Sequence, residues 1–403
     1  MAFFTPKICL GNEACFIFVS TERTFKKAFY ELKKMTDRIY SPRVGEKLMY
    51  PTWKSLILSL PFTKEGKNVG LTQDKDVMAA VMKNITAIQK KRNGFFPELA
   101  KSFVSEAKGT YHTGKPIEEV KVSMDNFNFG TNEFHTIYDI PSASYTYVSD
   151  RVYSILGIPP EEFNVQRLYS LMPEGGLHHP ADVYHTLRWG NLAYIVLGVP
   201  GFVFRANDDH YLIRYRLSTA ISKCPEIREM EYVMVEKRCY LCHDSSADHT
   251  LKPTMHLDRW TVLDSTKHHF VQPQFVTSPN QSMMMNAMLY LLNCMLIGLQ
   301  PKYIMFLNER IETDRNKAIA NGVSEKMQQH SGLKPDLMEK TVADCFSKSI
   351  RTRIADALET WEPRSEKHII NSDGDAVKGA YKLGLLPIPP MVEKLMYSSI
   401  TEA

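Results

Sequence analysis

The chain lacks the short strings that announce most enzyme chemistries. Its 403 residues contain no G-x-G-x-x-G, no G-x-x-x-x-G-K-S/T, no G-x-S-x-G and no H-E-x-x-H. Dinucleotide clefts, phosphate loops, nucleophile elbows and zincin helices therefore have no sequence support. Long apolar runs are missing as well: the richest one, residues 283 to 299, is interrupted by Asn286, Asn293 and Gly298 and falls short of the ~20 residues a membrane span needs. It reads as a buried or dimer-forming helix, and no membrane association is expected. The seven cysteines are odd in number and irregularly spaced, so they form no disulfide framework and point to a reducing cytoplasm. At the N-terminus Phe3, Phe4, Thr5, Pro6 and Lys7 break too early for a signal peptide.

What remains is ordinary globular material with an uneven charge. A hydrophobic content of 44% with 23% charged residues suits a folded chain, and the length suggests two or three domains. Residues 1 to 120 hold 20 Lys and Arg against 12 Asp and Glu, so the N-terminal third is the basic part of a chain whose net charge is +4. Two amphipathic helices are expected there. Phe25, Ala28, Phe29, Leu32 and Met35 share one face over 24 to 40; Val77, Met78, Val81, Ile85 and Ile88 do so over 74 to 89. Lys26, Lys27, Lys33, Lys34, Lys90, Lys91 and Arg92 would face outward, as a solvated surface or toward an acidic partner. Residues 64 to 70 read as a spacer, and 106 to 116, with Gly109, Gly114 and Pro116, as a linker.

Between 145 and 163 the pattern becomes specific. Tyr145, Tyr147 and Ser149 alternate with Thr146 and Val148 as a half-buried strand does. Ser149 and Asp150 can cap a short helix that places Val152, Ile155 and Leu156 on one face, and Gly157 ends it. Pro159 and Pro160 then hold the chain extended before a helix carrying Phe163, Leu168 and Leu171. His179, Pro180 and Asp182 open a longer helix, and three strand candidates follow at 210 to 221, 232 to 243 and 257 to 265. This order, with Tyr147, Ser149, Leu156, Gly157, Pro160, Phe163, His179, Pro180 and Asp182 as its signature, resembles a PAS sensor domain over residues 125 to 268. The resemblance implies a five-stranded antiparallel sheet with short helices, a signal received from a small molecule or a protein, and partner control rather than catalysis. The family's tight turn between its first two long strands is absent; residues 220 to 230 intervene, which leaves the register there open.

Cys239, Cys242 and His243 form a C-x-x-C-H string, the pattern of covalent haem attachment. On a strand, however, positions 239 and 242 face opposite sides, so both thiols cannot meet one porphyrin. A zinc set of Cys239, Cys242, His243, His249 and His256 meets the same obstacle. No cofactor is evident. The pairs His178-His179 and His268-His269 lack a framing nucleophile or carboxylate, and no enzyme activity is expected.

The C-terminal region reads as helical. Residues 280 to 330 would form a linker or dimer helix, and 333 to 390 a degenerate helix-turn-helix, with one helix over 335 to 346, a cap at Ser347 and a second over 349 to 358. Lys348, Arg351, Thr352 and Arg353 would then face DNA. The string from Asp375 to Pro387 resembles the closing helix of LuxR-type DNA-binding domains, although 333 to 369 carries seven basic and seven acidic side chains. The whole is an α+β chain: a basic α-rich region (1 to 115) of no recognised family, a PAS-like core and an all-α C-terminal part. Its expected role is a cytoplasmic, homodimeric transcriptional regulator that senses a signal and binds DNA. The alternative is a PAS-like interaction or scaffold protein that touches no DNA.

Overall fold

The computed structural model describes residues 61–64, 67–70, 75–90, 110–112, 129–170, 175–197, 203–205, 209–242, 254–264, 267, 272–301, 303–305, 307, 335–361 and 369–394. The helix expected at 24 to 40, Leu171, the stretch 308 to 327, and His243, His249, His268 and His269 lie outside the described residues. Two units are distinguished, one within Leu58–Leu296 and Trp361–Ser365, the other including Ile297–Thr360 and Glu366–Ala403.

In chain order the first unit contains β1 (Pro61–Lys64), β2 (Lys67–Gly70), α1 (Lys75–Lys90), β3 (Thr110–His112), β4 (Glu133–Asp139), β5 (Ser144–Val148), α2 (Arg151–Leu156), α3 (Val165–Leu168), α4 (Pro180–Leu197), β6 (Val203–Arg205), β7 (His210–Ser218), α5 (Pro225–Arg228), β8 (Tyr232–Cys242), β9 (Met255–Leu263), β10 (Gln274–Val276) and α6 (Pro279–Ile297). The α+β class is as expected from the sequence. A six-stranded antiparallel sheet, in the order β10-β7-β8-β9-β4-β5, forms its centre.

That sheet has one strand more than expected. Three-residue β10 is too short to show alternation, and a side chain helps hold it: Phe275 N donates to Asn286 Oδ1 at 2.6 Å, while Asn286 Nδ2 donates to Phe275 O at 3.1 Å. Two further expectations at the N-terminal side change. Lys64 and Lys67–Gly70, within the stretch read as a spacer, belong to the antiparallel pair β1 and β2, and Thr110–His112, inside the supposed linker, pairs in parallel with β6. Helix α1 is present as its period required, with Val81, Ile85 and Ile88 buried. Gln89 on it donates to Leu296 O of α6 at 3.1 Å.

The open register between β7 and β8 is resolved. Pairing runs unbroken from Ser218 opposite Tyr232 to Tyr211 opposite Cys239. The long connection does not disturb it because it is tied to the end of α2, where Lys223 N donates to Gly157 O at 2.7 Å, and is braced within itself, where Arg228 Nη2 donates to Ser222 O at 2.6 Å. Gly157 is required twice over, by its φ of +64° and because a Cβ there would sit 2.4 Å from Ser222 Oγ and 2.9 Å from Cys224 N.

Helix α4 is apolar around most of its circumference and is correspondingly interior. Its first turn is fastened to the sheet by Asp182, which accepts from Arg216 N and Nε at 2.9 Å each and from Nη2 at 2.7 Å. Helix α6 buries Met285 and Ala287 through Leu296, the interior fate expected of its methionine-rich run.

The second unit corrects a sequence expectation. Residues 335 to 361 form one continuous helix, α7 (Pro335–Trp361), with no turn at Ser347, so the helix-turn-helix expected there is absent. No Gly or Pro interrupts 336 to 360, and Ser347 is buried with its hydroxyl donating to Asp373 Oδ1 rather than capping a helix. The following helix, α8 (Asp373–Lys382), opens on a capping box between Ser372 and Asp375. Gly379 lets it approach α7: a Cβ there would lie 2.7 Å from Ile354 Cγ2 and 3.0 Å from Leu358 Cδ1.

Candidate functional site

Period-2 alternation puts one inward set on each central strand, and the observed register brings four sets together. Lys237 lies opposite Trp260, Cys239 opposite Asp258, and Leu241 opposite His256. On the far side of β9, Trp260, Asp258 and His256 face Phe134, Thr136 and Tyr138 of β4. On the far side of β8, Cys239 and Lys237 face Tyr211 and Ile213 of β7. Between this face and α4 lies a cavity of about 100 Å³ lined by the sheet residues Tyr138, Tyr145, Tyr211, Lys237, Cys239 and His256, the helix residues Asn191 and Tyr194, and Tyr169. A single water needs only ~10–15 Å³, so the space accommodates more than one.

A buried charge cluster forms the floor. Lys237 Nζ lies 2.7 Å from Asp258 Oδ2, with the two side chains 8% and 0% exposed. His256 Nδ1 lies 2.7 Å from Asp258 Oδ1. The Trp260 indole N–H donates to Thr136 Oγ1 at 3.0 Å, and Thr136 in turn reaches Asp258 Oδ2 at 3.5 Å. Lys237 Nζ also stands 4.9 Å from the Trp260 ring centroid, a cation–π distance. Phe134 and Phe163 pack on that indole from behind.

The charge states follow from burial and partners. Burial disfavours the Lys237 ammonium, yet Asp258 and the surrounding groups outweigh it and hold its pKa well above the ordinary lysine value. Burial also works against the Asp258 carboxylate, but His256 and Lys237 keep its pKa below the usual range. For His256 burial prevails over the Asp258 attraction and lowers the pKa, which leaves a neutral ring donating its Nδ1 proton to Asp258. Desolvation raises the phenols of Tyr145, Tyr194 and Tyr211, so they remain protonated donors.

Cys239, His256 and Asp258 place potential metal ligands within 4.8 Å of one another. Both Asp258 oxygens are already occupied by Lys237 and His256, so a cation there would have to displace the ammonium. Nor is Cys239 an activated nucleophile: burial and the neighbouring Asp258 push its thiol pKa well up. The arrangement is suited to holding a ligand over a buried polar floor rather than to attacking one.

The sequence singled out a different set of residues. Leu156 and Phe163 are core, Ser149 is buried with Oγ accepting from Arg151 N, and Pro160 begins a one-turn 3₁₀ segment. Tyr147 is 39% exposed and stacks on His135, because a bulge between Ile137 and Tyr138 puts Tyr145, but not Tyr147, toward the cavity. His179 lies against Tyr232, Pro180 begins α4, and Asp182 holds Arg216. These residues build the scaffold, and none lines the cavity. Of the metal candidates, Cys239 and His256 do meet, whereas Cys242 faces the other side of the sheet with Ile137 and Leu257, as alternation requires. Lys237 and Asp258 were missed, although a lysine in the inward series Val233, Val235, Lys237, Cys239, Leu241 was a visible anomaly.

In the second unit Lys348 and Thr352 are exposed, and Thr352 Oγ1 donates to Lys348 O at 3.0 Å. Arg351 Nη1 donates to Asn371 O at 2.5 Å, and its Nε lies 3.7 Å from Asp373 Oδ1. The Arg353 guanidinium covers the Tyr303 ring at 5.5 Å. Both arginines therefore make contacts within their own unit. Among the described residues no helix is long and apolar enough to cross a membrane. No family model, no curated protein and no solved structure matches the chain.

Proposed function

We propose that this chain is a PAS-like signal sensor: the cavity between the sheet and α4 takes up a small molecule, and the C-terminal helices carry the response. The observation that carries this reading is the cavity itself, a space with a buried floor of Lys237, His256 and Asp258 and ringed by tyrosines. The strand order β5-β4-β9-β8-β7, with α2, α3 and α4 between its second and third members in the chain, supports the PAS-like reading, and β10 extends that sheet at one edge. A ligand acts on such a protein only through unequal affinity for two conformations, and the tyrosine-lined space offers contacts that α4 would lose on moving away.

For the output, the leading reading remains transcriptional regulation through DNA, with Lys348, Arg351, Thr352 and Arg353 as the contacts. One observation favours the second reading, a protein-interaction module: Arg351 and Arg353 are each engaged by neighbouring groups, which leaves fewer cations for phosphate. Titration of labelled duplex DNA at two salt concentrations separates the two. Binding that weakens with salt and with Arg351→Ala/Arg353→Ala supports the regulator; no binding at low salt refutes it.

A further inference from the structure

We propose that the cavity recognises a small aromatic carboxylate bearing a ring hydroxyl, of the hydroxybenzoate class, with the carboxylate seated on Lys237. The inference rests on the sensor reading above and assigns its ligand chemistry.

The argument starts from an asymmetry in the ion pair. Lys237 lines the cavity, whereas its counter-ion Asp258 lies behind it, with one oxygen accepting from Lys237 and the other from His256. An ammonium has three N–H donors, so Lys237 keeps capacity for a further acceptor while the carboxylate has none facing the space. The phenols add to this side of the balance. Burial keeps Tyr145, Tyr194 and Tyr211 protonated, and the Tyr211 hydroxyl is buried with no protein partner among the described residues. A donor-rich, cation-bearing lining selects acceptor oxygens, and a carboxylate supplies them with the matching charge.

The lining also offers two acceptors, one on α4 and one on the sheet. Asn191 on α4 gives its amide N–H to Leu187 O at 2.7 Å, leaving Oδ1 buried with no partner among the described residues. The neutral His256 ring has Nδ1 committed to Asp258, so Nε2 is its second acceptor. A ligand with acceptor oxygens for Lys237 and Tyr211 and a single O–H donor for Asn191 Oδ1 or His256 Nε2 satisfies both sets of groups. Leu187, Ile213 and Leu241 supply the apolar surface for a ring between them. A cation would face Lys237 directly, and a purely apolar ligand would leave Tyr211 and Asn191 unpaired.

The test is isothermal titration of the full-length protein with 4-hydroxybenzoate, its neutral primary amide and 4-hydroxybenzylamine. The acid should bind on the order of tenfold to a hundredfold more tightly than the amide, as a charge-assisted contact in a desolvated site requires, and the amine should not bind. Because Lys237→Met alone strands Asp258, the paired variant Lys237→Met/Asp258→Leu is used, with Tyr211→Phe as a second, milder change. The paired variant should abolish the preference for acid over amide, and Tyr211→Phe should weaken the acid severalfold. Equal binding of acid and amide, or an acid preference that survives in the paired variant, overturns the carboxylate assignment and leaves the sensor reading intact. Failure of all three compounds to bind also overturns it. Acid binding that leaves DNA affinity unchanged in a parallel titration upholds the ligand assignment and counts instead against the regulator.

Discussion

Replacing Asp258 with asparagine tests the buried ion pair most directly. The side chain is fully buried and accepts from Lys237 at 2.7 Å and from His256 at 2.7 Å. Asparagine preserves the shape but has one acceptor and a two-donor amide. Its oxygen can stay on Lys237 only if the amide turns toward His256, and the imidazole must then shift its proton from Nδ1 to Nε2 to accept. Hydrogen bonding can thus be rescued, but the ammonium loses its counter-ion in a site where it is 8% exposed. Removing one member of a buried pair costs about 3–5 kcal/mol, mostly through the charge left behind. Replacing both members by apolar residues of similar size, as in Lys237→Met/Asp258→Leu, should cost far less, because no charge is stranded. Urea unfolding followed by tryptophan fluorescence reads both, since Trp260 stands 4.9 Å from the ammonium. A loss below about 1 kcal/mol for Asp258→Asn, or a paired variant as unstable as the sum of its single changes, would refute the reasoning.

Gly157→Ala should destabilise the first unit by more than about 2 kcal/mol, because a positive φ adds to a Cβ held against Ser222 and Cys224; asparagine, which tolerates the φ, should not rescue it, and a thermal melt showing either variant at the parental midpoint sinks the claim. Acid should destabilise the chain from near neutrality downward. His178 is buried and its pKa is lowered to about 4, by desolvation that its hydrogen bond to Leu168 O only partly offsets. An unfolded histidine takes its proton near 6.5, so this contribution is present above that pH and declines as pH falls toward 4, by about 3 kcal/mol in all. Urea midpoints across pH 4 to 7.5 should therefore decline with acid, with a shallower slope in His178→Asn; a flat profile contradicts the assignment.

The residues that were legible in the sequence are those whose structural role is local. Strands β7, β8 and β9 follow from their alternation, α1 from its 3.6-residue period, and the stop at Gly157 from a conformation that glycine reaches without strain. Even the separation of Cys239 from Cys242 follows from strand parity. The errors share a cause too. Ser347 read as a cap because serine competes for backbone hydrogen bonds, but in α7 its hydroxyl bonds Asp373, a partner 26 residues away. Strand β10 escaped notice because part of its support is Asn286 on the next helix.

Within regular stretches, sequence alone therefore determined which residues share a face, since side-chain period is a property of consecutive residues. It did not determine what meets on those faces. Lys237 and Asp258 are 21 positions apart in sequence, and nothing in either neighbourhood announces the other. Only the β8-β9 register sets Cys239 opposite Asp258 and so brings the ammonium within reach of the carboxylate. The bulge in β4 and β5 likewise turns Tyr145 toward the cavity and leaves Tyr147 outside. Register is a collective outcome of pairing, packing and loop length, and a shift of one residue would send every one of these groups to the opposite face.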